Sequence, residues 1–225
     1  MTGTLINAGA IVAGSTAGLI LHSRLPRRVT DIVFQGLGLF SLFIGFNMAM
    51  RTSHMLLMIF SIVIGSIIGE LLSLEAGMEN LSEKLKTRLK SSNEKFTEGM
   101  ITAFLLYCMG SMTILGAFEE GLGGEPNLLL AKSVLDGFSS VALASALGIG
   151  VMFSIIPLLL YQGGLTLLAA QLDEVFTELV IDELSAVGGL LLIGLGINIL
   201  EIKRLRIMNM LPALVVIVVL TLIFA

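Results

Sequence analysis

The sequence predicts an all-α integral membrane protein, a helical bundle of about eight transmembrane helices. Of its 225 residues, 56% are hydrophobic and only 13% are charged, a balance that soluble domains do not have. The mean hydropathy is +0.99. The apolar residues fall into runs of about 20, the length that an α-helix needs to cross roughly 30 Å of hydrocarbon. These runs lack the strict alternation of a membrane β-barrel.

Eight such runs follow one another along the chain. They cover residues 4–22, 32–50, 54–74, 99–118, 128–150, 152–171, 185–200 and 207–225. Only the Gly148–Gly150 region separates the fifth run from the sixth. Pro157 is expected to kink the sixth helix, because proline removes an internal hydrogen bond. The alternative is seven transmembrane helices with one re-entrant segment.

Positive charges sort to one side of the eight-helix arrangement. The loops after the first, third and seventh runs fall on the same side and hold 11 of the 13 Lys and Arg residues. Arg51 and Lys132 are the exceptions, and the opposite loops, around residues 119–125 and 173–183, are acidic. Lys and Arg in short loops stay in the cytoplasm. Both termini are therefore expected outside the cytoplasm, in a bacterial inner membrane.

The longest polar insert, residues 79–98, lies between the third and fourth runs. Leu81, Leu85 and Leu89 recur every four residues among Lys and Glu side chains. This pattern predicts a cytoplasmic amphipathic connector that rests on the lipid surface.

Glycines spaced four residues apart predict close helix packing. Gly14 with Gly18, and Gly65 with Gly69, have the spacing of helix-packing seams in membranes. Because the 25 glycines offer more such seams than one bundle needs, we also expect a homodimer.

Two parts of the chain resemble each other weakly. Thr30-Asp-Ile-Val precedes Ile44-Gly-Phe-Asn47, and Thr177-Glu-Leu-Val precedes Leu195-Gly-Ile-Asn198. If runs one to three match runs six to eight, the offset of five runs is odd and the copies have opposite orientations. This predicts an inverted repeat, with 1–78 and 152–225 as the repeat-like halves. The connector 79–98 and central helices 99–151 lie between them. Many secondary transporters are built in this way, with the ligand site near the midplane.

Asp136 is the most expensive residue to place in the membrane. At about 1.5 Å per helical residue it lies roughly 12 Å into the 128–151 segment, where an ionised carboxylate costs about 2.5–3.5 kcal/mol. Lys132, one turn earlier, could neutralise it, and Gly137 would let another backbone approach. The residue indicates either a polar site at mid-membrane depth or a paired carboxylate that pins two helices together.

Other polar residues in the apolar runs could converge on the same site. Their carboxylate, carbonyl and hydroxyl oxygens suit a hard cation or a proton. The candidate solute- or ion-binding residues are Asp136, Ser139, Ser140, Glu70, Ser111, Thr113, Gln162, Asn47, Asn198 and Asn209; Asn7 is a further intramembrane polar residue. Glu70 could instead reach the cytoplasmic interface. The Gly110–Gly116 segment indicates either a broken helix that exposes backbone dipoles or ordinary packing.

No catalytic constellation appears in the sequence, so an enzyme is not expected. The two histidines, His22 and His54, lie near the ends of runs, and Cys108 is a lone cysteine within an apolar run. We therefore expect no disulfide, no cofactor and no metal cluster of Cys and His. The net charge of −4 gives no reason to expect nucleic acid. The expected partners are the lipid bilayer, a small solute or ion, and a second copy of the chain.

Ordered motifs along nearly the whole chain resemble a known family. They are Cys108-Met-Gly-Ser-Met-Thr-Ile-Leu-Gly116, Glu119-Glu-Gly-Leu, Lys132-Ser-Val-Leu-Asp-Gly-Phe138, Tyr161-Gln-Gly163, Gly188-Gly189 with Gly194-x-Gly196-x-Asn198, and Asn209-Met-Leu-Pro-Ala213. Together they resemble the bacterial YqgA/YdfK-like family of multi-pass membrane proteins. That family is catalogued as a domain of unknown function, and its members are labelled transporters or simply membrane proteins. Ser111 stands where many relatives have Pro, so the argument for a helix kink at this position is weaker in this sequence.

The resemblance implies a location and an architecture and leaves the substrate open. The first hypothesis is an inner-membrane transporter of a small solute or ion, coupled to a cation or a proton, because two deep carboxylates could change the charge of the site between two states. The alternatives are a passive ion channel and a non-transporting membrane scaffold.

Overall fold

In the computed structural model the chain is almost entirely helical. The structure describes residues 1–22, 27–88, 93–108, 110–172 and 175–225, and these contain no β-strand. The helices are α1 (Thr2–His22), α2 (Arg27–Ala49), α3 (Met55–Leu72), α4 (Leu74–Arg88), α5 (Phe96–Cys108), α6 (Ser111–Gly121), α7 (Asn127–Leu147), α8 (Gly150–Phe153), α9 (Ile155–Leu172), α10 (Glu178–Ile199) and α11 (Ala213–Phe224), with a 3-10 turn at Ile207–Met210. The predicted all-α class is confirmed.

Six stretches of the described chain are long and apolar enough to cross a membrane. They are Thr2–Leu21, Met55–Leu72, Asn127–Leu147, Gly150–Ala169, Glu178–Ile199 and Ile207–Phe224. The pair formed by α5 and α6, bent by 65°, makes a seventh if it is one span, and Gln35–Ala49 is a shorter apolar helix. The described residues thus hold six or seven candidate spans, and the count of eight stays a prediction.

The bent pair follows α7 along its whole length. Gly99 of α5 packs against Leu147 at the end of α7, and Gly116 of α6 packs against Leu129 near its start. A re-entrant segment would instead return α6 to the end where α5 begins. The arrangement therefore fits one span that is broken between Cys108 and Ser111.

Contacts divide the chain into two compact units, each assembled from two separate stretches. The first unit combines Met1–Phe34 with Ser82–Asp173, and the second combines Gln35–Leu81 with Glu174–Ala225. The first contains α1 and α5 to α9; the second contains α3, α10, α11 and most of α2.

Glycine seams hold helices together inside each unit. In the first unit Gly14 packs on the carbonyl of Gly137 and Gly18 on the carbonyl of Val141. From the first contact to the second, the residue number increases by four in both helices, so α1 and α7 run parallel. The predicted Gly14 and Gly18 seam is confirmed.

The second predicted seam lies in the second unit. Gly65 packs on the backbone of Ala213, and Gly69 on the carbonyl of Asn209. From the first contact to the second, the residue number increases in α3 and decreases in the partner segment. Helix α3 therefore runs antiparallel to the segment that contains α11. Close backbone approach of this kind is how small residues favour helix association in lipid.

Gly14→Ala should lower the free energy of unfolding by about 1–3 kcal/mol, because its Cβ would overlap the backbone of α7 and force a shift. Gly9→Ala, on the same helix, is the matched control, since a Cβ there meets nothing within 4 Å. It should be neutral or stabilising by up to about 1 kcal/mol through helix propensity. Denaturant unfolding of the detergent-solubilised protein measures both, and equal effects would contradict the seam.

The connector begins earlier than predicted. Helix α4 starts at Leu74, directly after Ser73 ends α3 in a left-handed conformation (φ 53°). Its buried residue is Ser82, whose hydroxyl lies 3.8 Å from Met100 Sδ. Leu81 is exposed, Leu85 is half-buried and Leu89 lies outside the described residues, so the lipid-surface connector stays a prediction.

The sixth run is interrupted one turn before Pro157, on the side where proline disrupts a helix, and the size of the kink stays a prediction. The interruption lies at Ser154, and Pro157 is the third residue of α9. The first turn of a helix has no internal partner for its N–H groups, so proline costs little there. Gly148, with φ 79°, ends α7, and the Asn93 amide donates to the Leu147 carbonyl at 3.0 Å.

The seventh predicted run also begins too late. Thr177 caps α10, because its hydroxyl accepts the Val180 N–H at 3.3 Å. Asp182 and Glu183 therefore lie inside a helix and not in an acidic loop. The apolar pattern starts only after these two charges, which is why it predicts a start at residue 185.

Candidate functional site

One face of α7 carries the candidate site. Lys132, Asp136 and Ser140 are buried and spaced four residues apart, so they lie on the same side of the helix. Leu135 and Phe138, on other sides, are 57% and 75% exposed, as suits contact with lipid. Asp136 lies near the middle of the 21 residues of α7.

Asp136 forms an ion pair with Lys132. The two side chains are only 10% and 6% exposed, so water does not replace either partner. The ammonium of Lys132 also lies 5.8 Å from the centre of the Tyr107 ring, within the range of a cation–π contact. A buried pair of this kind is neutral overall and strongly dependent on both members.

A chain of side-chain amides leads away from the ion pair. Asn7 Nδ2 donates to Asp136 Oδ2 at 3.0 Å and to Gln162 Oε1 at 3.3 Å. Gln162 Nε2 in turn donates to the Thr4 hydroxyl at 3.2 Å. Asn7, Gln162 and Thr4 are fully buried. The polar chain therefore joins α1, α7 and α9 through the interior of the first unit.

The carbonyl oxygen of Asn7 has no hydrogen-bond partner within the described part of the chain. Its amide cannot simply turn round, because Nδ2 donates to the carboxylate of Asp136. Buried polar atoms in native proteins are nearly always paired. Among the described residues, the Asn7 oxygen is an exception to this rule and is an unused acceptor. The amide that carries it is hydrogen-bonded to Asp136 of the ion pair.

Two neighbouring carboxylates at the end of α6 cap the two parallel helices. Glu120 accepts the N–H of Gly3 at 2.6 Å and the hydroxyl of Thr4 at 3.0 Å, and the α-amino group of Met1 lies 2.9 Å from it. Glu119 accepts the N–H of Leu128, at the start of α7, at 3.0 Å. Carboxylates at helix N-termini satisfy free donors and offset the helix dipole. The stretch predicted as an acidic loop thus begins with two structural carboxylates.

Ser140 and Thr113, two predicted site residues, position Tyr107. The Ser140 hydroxyl donates to the carbonyl of Asp136 at 2.7 Å, so the Tyr107 hydroxyl, also at 2.7 Å, donates to Ser140. The Thr113 hydroxyl donates to the Tyr107 carbonyl at 2.7 Å. Ser140 thus bonds to the ring hydroxyl of Tyr107 and Thr113 to its backbone, and neither bonds to the carboxylate of Asp136.

Two further predicted residues have separate partners in the second unit. Glu70 accepts from Arg206 at 2.6 Å and from Asn209 Nδ2 at 2.7 Å, and Asn209 Oδ1 accepts the N–H of Glu75 at 2.7 Å. Burial raises the pKa of the Glu75 carboxyl. A cleft of about 510 Å³ lies here, lined by Glu70, Ser73, Glu75, Ala76, Glu79, Arg204, Arg206 and Asn209. Glu70 and Asn209 thus bond to each other and to further residues of the second unit.

The structure describes the side chains of three of the remaining predicted residues, Asn198, Asn47 and Ser139. Asn198 binds the N–H and the carbonyl of Leu205, at 2.7 Å and 2.9 Å, and so holds the turn after α10. Asn47 is exposed on α2, and Ser139 is only partly buried. The side chain of Ser111 lies outside the described residues. Among the candidates whose side chains the structure describes in the first unit, only Asp136 and Gln162 belong to the chain of hydrogen bonds itself.

Four residues of the site were not predicted, namely Thr4, Thr166, Tyr107 and Glu120. Thr4 and Thr166 give no signal in sequence, because single threonines are common in transmembrane helices. Glu120 precedes a glycine-rich stretch and therefore resembled a loop residue. Its burial (side chain 4% exposed) depends on α1, more than 100 residues away in the chain.

The site offers oxygen atoms and one ammonium group. Within the described ranges, no three or more His, Cys, Asp or Glu side chains form a group that could hold a metal ion. The arrangement instead combines one neutral ion pair with amide and hydroxyl oxygens. Such a site can bind a small cation or donor by competing with Lys132 for Asp136.

Comparisons with known proteins agree with this membrane architecture. The chain matches the family described as "Protein of unknown function (DUF554)" over residues 2–222. It is 36% identical over 217 residues to "Uncharacterized protein YqgA" of Escherichia coli (strain K12), which covers 94% of this chain and 92% of the relative. It is 33% identical over 220 residues to "Uncharacterized membrane protein YdfK" of Bacillus subtilis (strain 168), with 96% and 93% covered. No solved structure matches the chain. With its multiple membrane-spanning helices, the chain belongs to the DUF554 family.

Proposed function

We propose that this protein transports a small solute or ion across the bacterial inner membrane, coupled to a cation or a proton, through the site around Asp136. The observation that carries the proposal is the buried ion pair of Lys132 and Asp136, halfway along α7. Ionisable residues at this depth are costly and usually line ion or proton pathways.

The chain of polar side chains supports transport over simple helix pinning. A pinning contact needs one bond between two helices, whereas Asn7, Gln162 and Thr4 extend the polar path through three helices. The free carbonyl of Asn7 adds an acceptor that the described protein leaves unused. A cation at Asp136 would gain this oxygen and displace the ammonium of Lys132.

Helix positions support the inverted repeat on which this proposal also draws. Adding 151 to the bounds of α1 (2–22), α2 (27–49) and α3 (55–72) gives 153–173, 178–200 and 206–223. The helical stretches found there are Ile155–Leu172, Glu178–Ile199 and Ile207–Phe224. Asn47 and Asn198 keep this spacing, whereas Thr30 and Thr177 do not.

Contacts between α2 and α10 are reciprocal under the same shift. A Cβ on Gly45 would meet the carbonyl of Gly189 and the side chain of Ile193. A Cβ on Gly196 would meet the carbonyl of Gly38 and the side chain of Leu42. Adding 151 to Gly38, Leu42 and Gly45 gives Gly189, Ile193 and Gly196, so each contact maps onto the other. A two-fold axis in the membrane plane, common in secondary transporters, produces this pattern.

The directions of the paired helices agree with that axis. Within the first unit, Thr4 and Asn7 of α1 meet Thr166 and Gln162 of α9, respectively, so α1 and α9 run antiparallel. Within the second unit, α2 is antiparallel to α10, and α3 to the segment with α11. Corresponding helices of an inverted repeat cross the membrane in opposite directions.

Two positive residues break the predicted charge sorting, and each has a carboxylate partner. Arg51 lies 3.9 Å from Asp182, and Lys132 is paired with Asp136. Lys132 lies inside α7 and not in a loop, and Arg51 alone does not outweigh the 11 positive residues of the other loops, so the predicted topology is kept. We propose on this basis that both termini lie outside the cytoplasm.

Thiol labelling tests that orientation. In a Cys108→Ala background, Lys84→Cys should be protected from an impermeant thiol reagent in intact cells. Glu125→Cys should react, since the loop before α7 is exposed and lies on the outer side in this topology. Permeabilised cells provide the control in which both positions react; the reverse pattern in intact cells would overturn the orientation.

Flux in reconstituted vesicles tests the function. The wild-type protein should carry at least one member of a panel of monovalent cations and protons, and Asp136→Asn should reduce that flux at least 100-fold. Asparagine keeps the size and the hydrogen bonds of the residue but removes its charge. Thermal unfolding in parallel should show that this variant is folded but less stable than the wild type, because Lys132 loses its counter-ion.

Ser133→Ala is the control for the flux measurement. Ser133 is buried on the same helix, but its hydroxyl bonds only to the carbonyl of Leu129, at 2.6 Å. Its flux should match the wild type. Flux that is normal in Asp136→Asn would reject the site, and non-saturating, uncoupled flux would favour the passive channel. No flux for any ion in the wild type would favour the scaffold.

A further inference from the structure

The first turn of α1 is held in place by one buried carboxylate. Glu120, at the end of α6, accepts the N–H of Gly3 and both the N–H and the hydroxyl of Thr4, at 2.6, 3.4 and 3.0 Å. These are the donors that a helix start leaves without internal partners. Met1, the residue before α1, has no side-chain oxygen with which to cap them, so the contact with α6 takes this role.

The same contact covers the outer end of the polar chain. The Thr4 hydroxyl that binds Glu120 also accepts from Gln162 Nε2 and lies 3.4 Å from the hydroxyl of Thr166. Gln162 then leads through Asn7 to Asp136. Beside Glu120, Gly121 packs on the carbonyl of Thr166, which brings α6 directly onto α9.

We infer that Glu120 is the positioning residue that controls access to Asp136 from the end of the first unit where α1 and α7 begin. Its carboxylate holds the first turn of α1 over Thr4, Gln162 and Asn7. Release of that turn opens an oxygen-lined path for a small cation. This inference rests on the proposed function, since it names the route to the same site.

The neighbouring carboxylate shows why the role belongs to Glu120 alone. Glu119 occupies the same turn of α6 and caps α7 through Leu128, and within the described residues it has no hydrogen bond to Thr4, Gln162 or Asn7. The two residues have the same chemistry and differ in the helix that they hold. Glu119→Ala is therefore a matched control for Glu120→Ala.

The experiment measures how fast a cysteine at the covered position reacts. Cys108, the single cysteine, is replaced by Ala, and Thr166→Cys is introduced, because Thr166 is only 6% exposed under the first turn of α1. A small cationic methanethiosulfonate reagent is the probe. Glu120→Ala should accelerate the reaction about tenfold or more, the change in open population that follows the loss of a helix cap. Glu119→Ala should leave the rate within about twofold.

Ser185→Cys separates local opening from general loosening. Ser185 is 1% exposed and belongs to the second unit, so its reaction rate should not respond to Glu120. Equal acceleration at both cysteines, or none at Thr166→Cys, would overturn the inference. Glu120→Gln, which keeps an acceptor oxygen, should give a smaller acceleration and replaces the alanine variant if that variant does not fold.

The labelling and flux results distinguish the two proposals. Labelling needs no transport, so faster reaction at Thr166→Cys without any ion flux would keep Glu120 as the access residue and reject the transporter. Flux that depends on Asp136, together with unchanged labelling, would keep the transporter and reject the role of Glu120.

Discussion

Lys132→Met should lower the free energy of unfolding by about 3–5 kcal/mol, because it leaves the carboxylate of Asp136 buried without its partner. The double variant Lys132→Met with Asp136→Leu should recover most of this loss, since two apolar side chains replace a pair that is neutral but costly to bury. Asn7 keeps an acceptor in the double variant, the Gln162 oxygen at 3.3 Å. Chemical unfolding in detergent, followed by circular dichroism, measures both.

The order of these stabilities is what identifies a coupled pair. Asp136→Leu alone should also be strongly destabilising, because it strands the ammonium of Lys132 in a site that is 6% exposed. Ser133→Ala, on the same buried face, should change the free energy by no more than about 1 kcal/mol. A double variant no more stable than either single variant would mean that the charges do not depend on each other.

The fold was predictable wherever hydropathy alone determines a helix. Predicted starts at residues 54 and 128 lie within one residue of the observed starts of α3 and α7, at Met55 and Asn127. The predicted start of α10 is seven residues too late. The apolar run begins only after the charged residues Asp182 and Glu183. The helix continues through these charges because Glu183 has partners in the α2–α3 turn, which no local pattern reveals.

The site was predictable only where one residue carries the signal by itself. Asp136 stands out because a carboxylate amid apolar residues is costly unless it faces protein or water. Lys132 follows from it through the four-residue spacing of a helix. Glu120 could not be found in this way, since its role depends on the packing of α6 against α1. The ion pair of Glu70 could not be found either, because its partner Arg206 is 136 residues away in the chain.

Glu183 is the second residue whose loss we expect to be severe. Its side chain is fully buried and accepts the hydroxyl of Thr52 at 2.6 Å and the N–H groups of Ser53 and His54 at 2.8 and 3.0 Å. His54 precedes α3 and provides no side-chain cap of its own. The carboxylate of α10 therefore caps α3 from across the second unit, and hydrogen bonds to a charged acceptor are the strong ones.

Glu183→Ala should accordingly lower the free energy of unfolding by about 2–4 kcal/mol, because three donors lose their acceptor and only the His54 N–H keeps another, the Thr52 hydroxyl oxygen at 3.1 Å. Glu183→Gln should lose about half as much, since one amide oxygen still accepts while its NH₂ group faces further donors. Glu178→Ala is the control on the same helix: Glu178 is exposed in the first turn of α10, where a carboxylate contributes about 0.3–1 kcal/mol. If Glu183→Ala were no more destabilising than Glu178→Ala, the capping bonds would contribute little, and the turn between α2 and α3 would have to be held by packing alone.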